Sequence, residues 1–184
     1  MTASASELQI RVATLADLKT IRGVHLAAFP EEEREIVAAL AVELVAEGPE
    51  SGVLSLLAEQ NGSATGSVVF SANAIPDAPS LKAYMLAPLG VRPDEHRGGV
   101  GSALVRAGLE MLEARGANVV MVYGDPKYYG RFGFTAELGE HFLPQHPLQF
   151  PFGWQAMTLG ADVALPDQPV SIRCAAPLDD PALW

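Results

Sequence analysis

The sequence predicts an α/β fold, a mixed α+β arrangement in which one sheet is packed by amphipathic helices. Two local patterns carry this reading. Residues 54–59, the pair Asn61-Gly62 and residues 66–71 spell strand, tight turn, strand, the mark of an antiparallel hairpin. Residues 81–91, a glycine-rich turn, an amphipathic run over 99–115 and the apolar run 118–123 spell strand, helix, strand. The third observation is compositional. A chain of 184 residues that is 49% hydrophobic and 18% charged can fill a core without disulfide or metal.

The elements follow in order. Residues 8–12 (LQIRV) alternate apolar and polar and read as a first strand. Thr14, with Asp17 three positions on, forms a capping box for a helix reaching Phe29, with Leu15, Leu18, Ile21, Val24 and Ala28 on its inner face. Pro30 stops that helix and opens the next, because proline fits a first helical turn. Glu31, Glu32, Glu33 and Glu35 then sit at its positive end, and Ile36, Ala39, Leu40 and Leu44 form its apolar face. After the hairpin, residues 75–80 hold two prolines and read as a loop. The fourth strand, 81–91, is unusual: Pro88 removes a ladder donor and Gly90 follows. The helix at 99–115 buries Val100, Leu104, Gly108, Met111 and Leu112, and Gly116 ends it. The continuous apolar run 118–123 (NVVMVY) predicts a strand covered on both faces. A short helix at 126–131 leads into Phe132-Gly133-Phe134. Residues 140–152, rich in proline and aromatics, read as a long loop. Residues 154–159 form a further strand and 170–174 a short last one. Residues 1–184 are read as one domain, with 160–184 a C-terminal extension of it.

Charge narrows the function classes. Lys plus Arg number 12 and Asp plus Glu 22, a net charge of −10. That balance disfavours nucleic acid and anionic membranes and suits a cationic amine. Cys174 is the single cysteine, so neither an intrachain disulfide nor a multi-cysteine zinc site is expected. No secretory leader and no membrane-spanning run is read, and a cytoplasmic setting is expected. His141 and His146 lie in the proline-rich loop without acid or cysteine partners, so no metal is expected. His25 reads as a partly buried helix residue.

The segment 86–102, LAPLGVRPDEHRGGVGS, carries the chemistry. A glycine-rich helix opening presents unpaired backbone N–H groups at the positive end of the dipole. Gly98, Gly99 and Gly101 let a pyrophosphate approach the backbone, and Arg97 adds a cation. A P-loop lysine is missing. A dinucleotide fold would place Gly or Ala where Leu104 stands, and only one strand-helix-strand unit is visible, although Asp125 ends the next strand at a suggestive distance.

His96-Arg97-Gly98-Gly99-Val100-Gly101 resembles the Gln/Arg-x-x-Gly-x-Gly/Ala pattern of the GNAT superfamily of N-acetyltransferases, with His96 in place of Gln or Arg. Residues 124–134, GDPKYYGRFGF, are similar to a signature of its YhbS-like branch, and the likeness runs from residue 8 to about 159. The resemblance implies a twisted, mostly antiparallel sheet, with strands four and five parallel and splayed and helices on both faces. It implies acetyl-CoA as cosubstrate and no metal. The pantetheine arm would lie along Leu89, Gly90 and Val91, filling the splayed gap like an added strand. The pyrophosphate would rest on Arg97, Gly98, Gly99, Val100, Gly101 and Ser102, with Asp125 near the cofactor at the end of strand five. Gly101 is placed at an exposed helix start, so that Gly101→Asp would block the anion and leave folding intact.

The reaction implied is direct attack of a neutral primary amine on the thioester. By the same resemblance the Leu89 backbone N–H is the oxyanion donor and Tyr129 the general acid, with Tyr128 packing on the short helix. The glutamate that the family often carries on strand four is missing from 81–91, which leaves Glu59, Asp125, His96 or a water chain as base. The same gap favours an alternative, a non-catalytic acyl-CoA-binding or sensor domain. The acceptor is a small-molecule or peptide amine bordered by the Glu31–Glu35 run, with no nucleic-acid or membrane partner, and a homodimer is compatible with the sequence.

Overall fold

Residues 7–95 and 98–184 are described by a computed structural model of the chain. Six strands form the main sheet: β1 (Gln9–Val12), β2 (Leu54–Gln60), β3 (Ser63–Asn73), β4 (Ala83–Val91), β5 (Val119–Tyr123) and β7 (Trp154–Thr158), in the order β1-β2-β3-β4-β5-β7. All neighbours are antiparallel except β4 and β5, which run parallel. The helices α1 (Leu18–Ala28) and α2 (Arg34–Ala46) cover one face, and α3 (Val100–Ala114) covers the other. This is the mixed α/β fold with parallel strands four and five that the sequence implied.

Local chemistry explains the joints. Asn61 and Gly62 both take positive φ, 52° and 75°, the primed turn that matches the twist of a two-residue hairpin. The Thr14 box closes as expected: Thr14 N–H donates to Asp17 Oδ2 at 2.8 Å, and Ala16 N–H donates to Thr14 Oγ1 at 3.3 Å. Arg11 also reaches Asp17, at 2.8 Å, which ties β1 to this turn and holds the Asp17 carboxyl well below the usual range. The helix α3 seats closely on the sheet at two glycines. A Cβ on Gly108 would run into the ring of Phe70, and one on Gly66 would lie 2.8 Å from Val100 and 2.9 Å from Leu104.

Five expectations are corrected. Leu15 stands in a 3₁₀ turn, Leu15–Asp17, and is exposed, not on the inner helix face. The helix α2 starts at Arg34, not at Pro30. The N–H groups of Glu33 and Arg34 turn back to the Pro30 carbonyl at 3.0 and 2.8 Å, so the first three glutamates occupy a turn ahead of the helix. Its inward stripe is Ala38, Leu40, Ala41, Leu44 and Val45, which leaves Ile36 outside. On α3 the stripe likewise passes through Val105 and Leu109, leaving Met111 at the edge, 36% exposed. The stretch 140–152 is not a plain loop. It carries β6 (Phe142–Leu143), which pairs in parallel with β8 (Val170–Ser171), while Arg173 bridges Ala74. Two short helices, α4 (Pro126–Tyr129) and α5 (Ala136–Gly139), complete the described elements named here. Ile172, Leu178 and Trp184 are buried in the α1/α2-side core, so the end of the chain closes that face.

Candidate active site

Strands β4 and β5 pair from Ala83↔Val119 to Leu86↔Val122, and among the described residues no ladder pair joins them further. Beyond Leu86, β4 stays with β3 alone. Phe70 faces Leu86 and Val68 faces Leu89, so Ala87 and Pro88 stand opposite the single residue Val69. That is a bulge, which bends β4 away, and Pro88 has no N–H to offer β5. On the other side, the chain after Tyr123 turns out, with Gly124 N–H donating to the Gly153 carbonyl at 3.0 Å. A gap results, with Leu89 on one lip and Gly124 and Asp125 on the other. A cavity of about 750 Å³ opens there, mainly on the α1/α2 side of the sheet.

Tyr129 reaches this cavity from α4. Asp125 caps that helix, its Oδ1 accepting from Lys127 N–H at 2.9 Å, and Pro126 fills the first turn. The Tyr129 ring packs against Gly124, where a Cβ would come within 2.5 Å of Cε2, and is edge-on to Phe134 at 5.9 Å between centroids. Gly124 is therefore required by the ring and not only by the turn. Burial pushes the Tyr129 phenol far up, so its hydroxyl is a proton donor at neutral pH. Tyr128 packs on the same α3-side core but does not line the cavity. Its ring meets Phe132 edge-on at 5.5 Å, the Arg131 guanidinium lies 4.6 Å from its centroid, and its hydroxyl lies at the start of α3 against Gly101.

The glycine turn sits where Tyr128 points. Gly99 takes φ 73° ahead of α3, a conformation that favours glycine, and Gly98 and Gly99 are exposed. The first N–H groups of α3, including those of Val100, Gly101 and Ser102, have no partner within the helix. Gly101 is buried, which corrects the expected exposed position: a Cβ there would lie 2.5 Å from the Tyr128 hydroxyl and 3.4 Å from Val91. No sequence signal links residues 101 and 128. His96 and Arg97 fall outside the described residues. Leu89, Gly124, Asp125 and Tyr129 thus meet at the gap, and Gly98, Gly99, Val100, Gly101 and Ser102 adjoin it on the α3 side through Tyr128.

Glu59 is not brought to this cavity. Its carboxylate accepts from Arg11 Nε at 3.2 Å and Nη2 at 2.9 Å at the β1–β2 edge. The carboxylates that line the cavity are Glu33 and Asp125. His25 is fully buried, more than expected, and packs on the backbone of β4: a Cβ on Gly90 would lie 2.7 Å from its Nδ1. Neither ring nitrogen has a hydrogen-bond partner among the described residues, and burial lowers its pKa to about 4, so it is neutral. His141 contacts the Pro166 carbonyl at 3.0 Å and His146 the Asp179 carboxylate at 2.8 Å. Among the described residues no cluster of three metal-ligating side chains occurs. Burial pushes the Cys174 thiol up to about 12, so it is unreactive at neutral pH.

Several cavity residues carried no sequence signal. Phe29, Ile36, Phe150, Phe152, Leu183 and Trp184 converge there from three distant segments. The Tyr123 hydroxyl, accepting from Phe150 N–H at 2.8 Å, fixes the aromatic loop, and the Trp184 ring lies 6.5 Å from that of Tyr123 and is nearly parallel to it. The aromatic richness of 140–152 was the one available hint.

Comparison with known proteins agrees with this geometry. Residues 9–136 match the family model described as an acetyltransferase (GNAT) domain. The uncharacterised N-acetyltransferase YjhQ of Escherichia coli K12 is 33% identical over 176 residues, spanning 91% of this chain and 92% of that one. The crystal structure of the GNAT family N-acetyltransferase YhbS of Escherichia coli in complex with CoA superposes with a TM-score of 0.82 at 27% identity, covering 98% and 96% of the two chains. A GNAT family acetyltransferase of Brucella melitensis, in complex with acetyl-CoA, gives a TM-score of 0.68 at 30% identity, covering 94% and 99%. The mixed sheet with parallel β4 and β5 is the sheet of these similar structures, and this chain belongs to the GNAT family of acetyltransferases.

Proposed function

We propose that the protein transfers the acetyl group of acetyl-CoA to a primary amine by direct attack within a ternary complex. The observation that carries this reading is the gap between parallel β4 and β5, with Tyr129 on its rim and the glycine turn adjoining it through Tyr128. The CoA and acetyl-CoA held by the two similar structures support the same donor here. The pyrophosphate rests on the turn and helix start at 98–102, and the pantetheine amides follow β4 at Leu89, Gly90 and Val91 into the gap. Asp125 orients α4, and so Tyr129, through its cap.

In the reaction, the amine lone pair attacks the thioester carbonyl carbon, and the Leu89 N–H stabilises the oxygen as charge develops on it. The C–N bond forms, the C–S bond breaks, and the thiolate takes the Tyr129 proton, which water then returns to the phenol. The amine's proton leaves to water at the cavity mouth, beside Glu33 and Asp125; Glu59, held by Arg11, takes no part. The whole chain acts as one domain, with 160–184 closing the acceptor side, in a cytoplasmic setting; among the described residues no helix is long and apolar enough to cross a membrane.

A second reading, a non-catalytic acyl-CoA sensor, draws support from the lack of a carboxylate on β4. One assay separates the two: thiol release from acetyl-CoA with a panel of primary amines. Amine-dependent release is expected. Tight acetyl-CoA binding with no release above the amine-free rate would favour the sensor.

A further inference from the structure

The walls of the cavity on the α1/α2 side select what can sit opposite the thioester. Besides the tyrosines, Glu33, Asp125 and Gln149 supply its polar side chains, and among the described residues no lysine, arginine or histidine lines it. The Tyr123 hydroxyl accepts from Phe150 N–H at 2.8 Å, which keeps its O–H as a donor. The remaining lining side chains are apolar or aromatic. Exposure gives a second, independent sign. Ile36, Phe150 and Phe152 are large hydrophobics left 37%, 52% and 67% exposed, and all three stand on this cavity. Apolar side chains gathered in the open at a cavity mark a contact surface for something apolar.

Three acceptor classes fit poorly. A free amino acid brings a carboxylate, which would face Glu33 and Asp125 with no cation to pair it. An aminoglycoside-like acceptor brings many hydroxyls that the apolar walls cannot satisfy. A linear polyamine brings charges along its whole length, and these walls would strip their water without repayment. The volume, about 750 Å³, is in the range that encloses a small organic ligand, and the thioester end of the donor takes part of it.

We infer that the acceptor is a small primary amine with an aromatic or branched aliphatic body and no anionic group. The inference rests on the acetyltransferase reading above. Its ammonium enters between Glu33 and Asp125, drawn by a chain of net charge −10. Its apolar body lies against Phe29, Ile36, Phe150, Phe152 and Trp184. Once the ammonium has given its proton to water, the free lone pair attacks the carbonyl carbon as described. The apolar contacts set the specificity; the two exposed carboxylates guide entry and contribute less.

The test uses the full chain and three amines: 2-phenylethylamine, L-phenylalanine, which differs from it by a carboxylate, and spermidine. Thiol release should show kcat/KM for 2-phenylethylamine at least about tenfold above the other two. Phe152→Ala should narrow its lead over spermidine by about fivefold or more, and Glu33→Gln should lower kcat/KM for 2-phenylethylamine by about two- to fivefold, less so at high salt. Binding is read separately by tryptophan fluorescence with CoA present, since Trp184 lines the cavity, with Trp184→Phe as the control. If no amine releases thiol but 2-phenylethylamine still binds ahead of the others, the acetyl-transfer reading fails and the cavity assignment stands. If L-phenylalanine or spermidine is turned over or bound as well as 2-phenylethylamine, or if Phe152→Ala leaves the preference unchanged, the inference is overturned.

Discussion

The two faces of the sheet meet at one gap but are built by different means. On the α3 face, close contacts at glycine set the geometry: Gly66 and Gly108 seat α3, and Gly101 admits the Tyr128 hydroxyl. The surface this leaves is backbone, an open helix start suited to any pyrophosphate. On the α1/α2 face, large side chains from 29–40, 149–153 and 178–184 wall a cavity. The contrast teaches a division of labour. A donor site made of backbone tolerates sequence change so long as the glycines remain, while an acceptor site made of side chains is redrawn by single substitutions. Tyr128 and Tyr129, adjacent in sequence, both pack on the α3-side core, but only Tyr129 lines the cavity; the Tyr128 hydroxyl lies at the start of α3 against Gly101.

The largest effect expected is at Gly101. Gly101→Asp places a charge where the pyrophosphate rests and should weaken CoA binding by at least about 3 kcal/mol, measured by calorimetry. It should also lower stability by about 1–3 kcal/mol, because its Cβ meets the Tyr128 hydroxyl. Adding Tyr128→Phe removes that oxygen and should restore melting temperature without restoring binding. Recovery of both together would show that the loss of binding was only a loss of fold. Next is Tyr129→Phe, which deletes one hydroxyl and should cut turnover about 10²-fold with little change in acetyl-CoA affinity. Tyr128→Phe should change turnover far less. Equal effects of the two substitutions would erase the distinction drawn between the tyrosine at the gap and the one at the start of α3.

A smaller effect belongs to His25, which backs β4 from the acceptor side. Its folded pKa is lowered from 6.5 to about 4 by burial. The unfolded chain therefore takes up a proton that the folded imidazole refuses, so this contribution to stability is full above pH 6.5 and is lost as pH falls through 6.5 toward 4. At about 1.4 kcal/mol per pH unit, unfolding at pH 5 should be easier by about 2 kcal/mol than at pH 7. Urea titrations at both pH values, repeated on His25→Leu, should show that this share of the acid sensitivity disappears; an unchanged slope would mean the ring is not the titrating group. The smallest effect is a test of independence: Phe152→Ala, on the acceptor face, should shift CoA affinity by no more than about twofold, since sites that share no partners behave additively.

What the sequence revealed divides along the same line. The Asn61-Gly62 hairpin, the Thr14-Asp17 box and the glycine turn at 98–101 were legible because each is a local pattern in which the chemistry lies within a few residues of its partner; Tyr129 was singled out only by the family resemblance. The burial of Gly101 was not, because the side chain that buries it is Tyr128. Nor was the complete burial of His25, which depends on Gly90 in β4 offering no Cβ. The acceptor walls were hidden for the same reason at larger scale: Phe29, Phe150 and Trp184 have no spacing rule among them and meet only after the sheet and its C-terminal closure form. Glu59 was a reasonable carboxylate by type, and only the pairing of β1 with β2 shows that Arg11 holds it elsewhere.

The central claim is that the donor approaches from the α3 face and its thioester end reaches through the β4–β5 gap to the acceptor cavity. A crystal structure of the acetyl-CoA complex tests it most directly. The expected result places the pyrophosphate on the backbone N–H groups of residues 98–102, the pantetheine arm along Leu89 to Val91, and the thioester sulfur within hydrogen-bond reach of the Tyr129 hydroxyl. A pyrophosphate bound away from the α3 start, or an arm that enters the cavity from the α1/α2 side with Tyr129 out of reach, would contradict it.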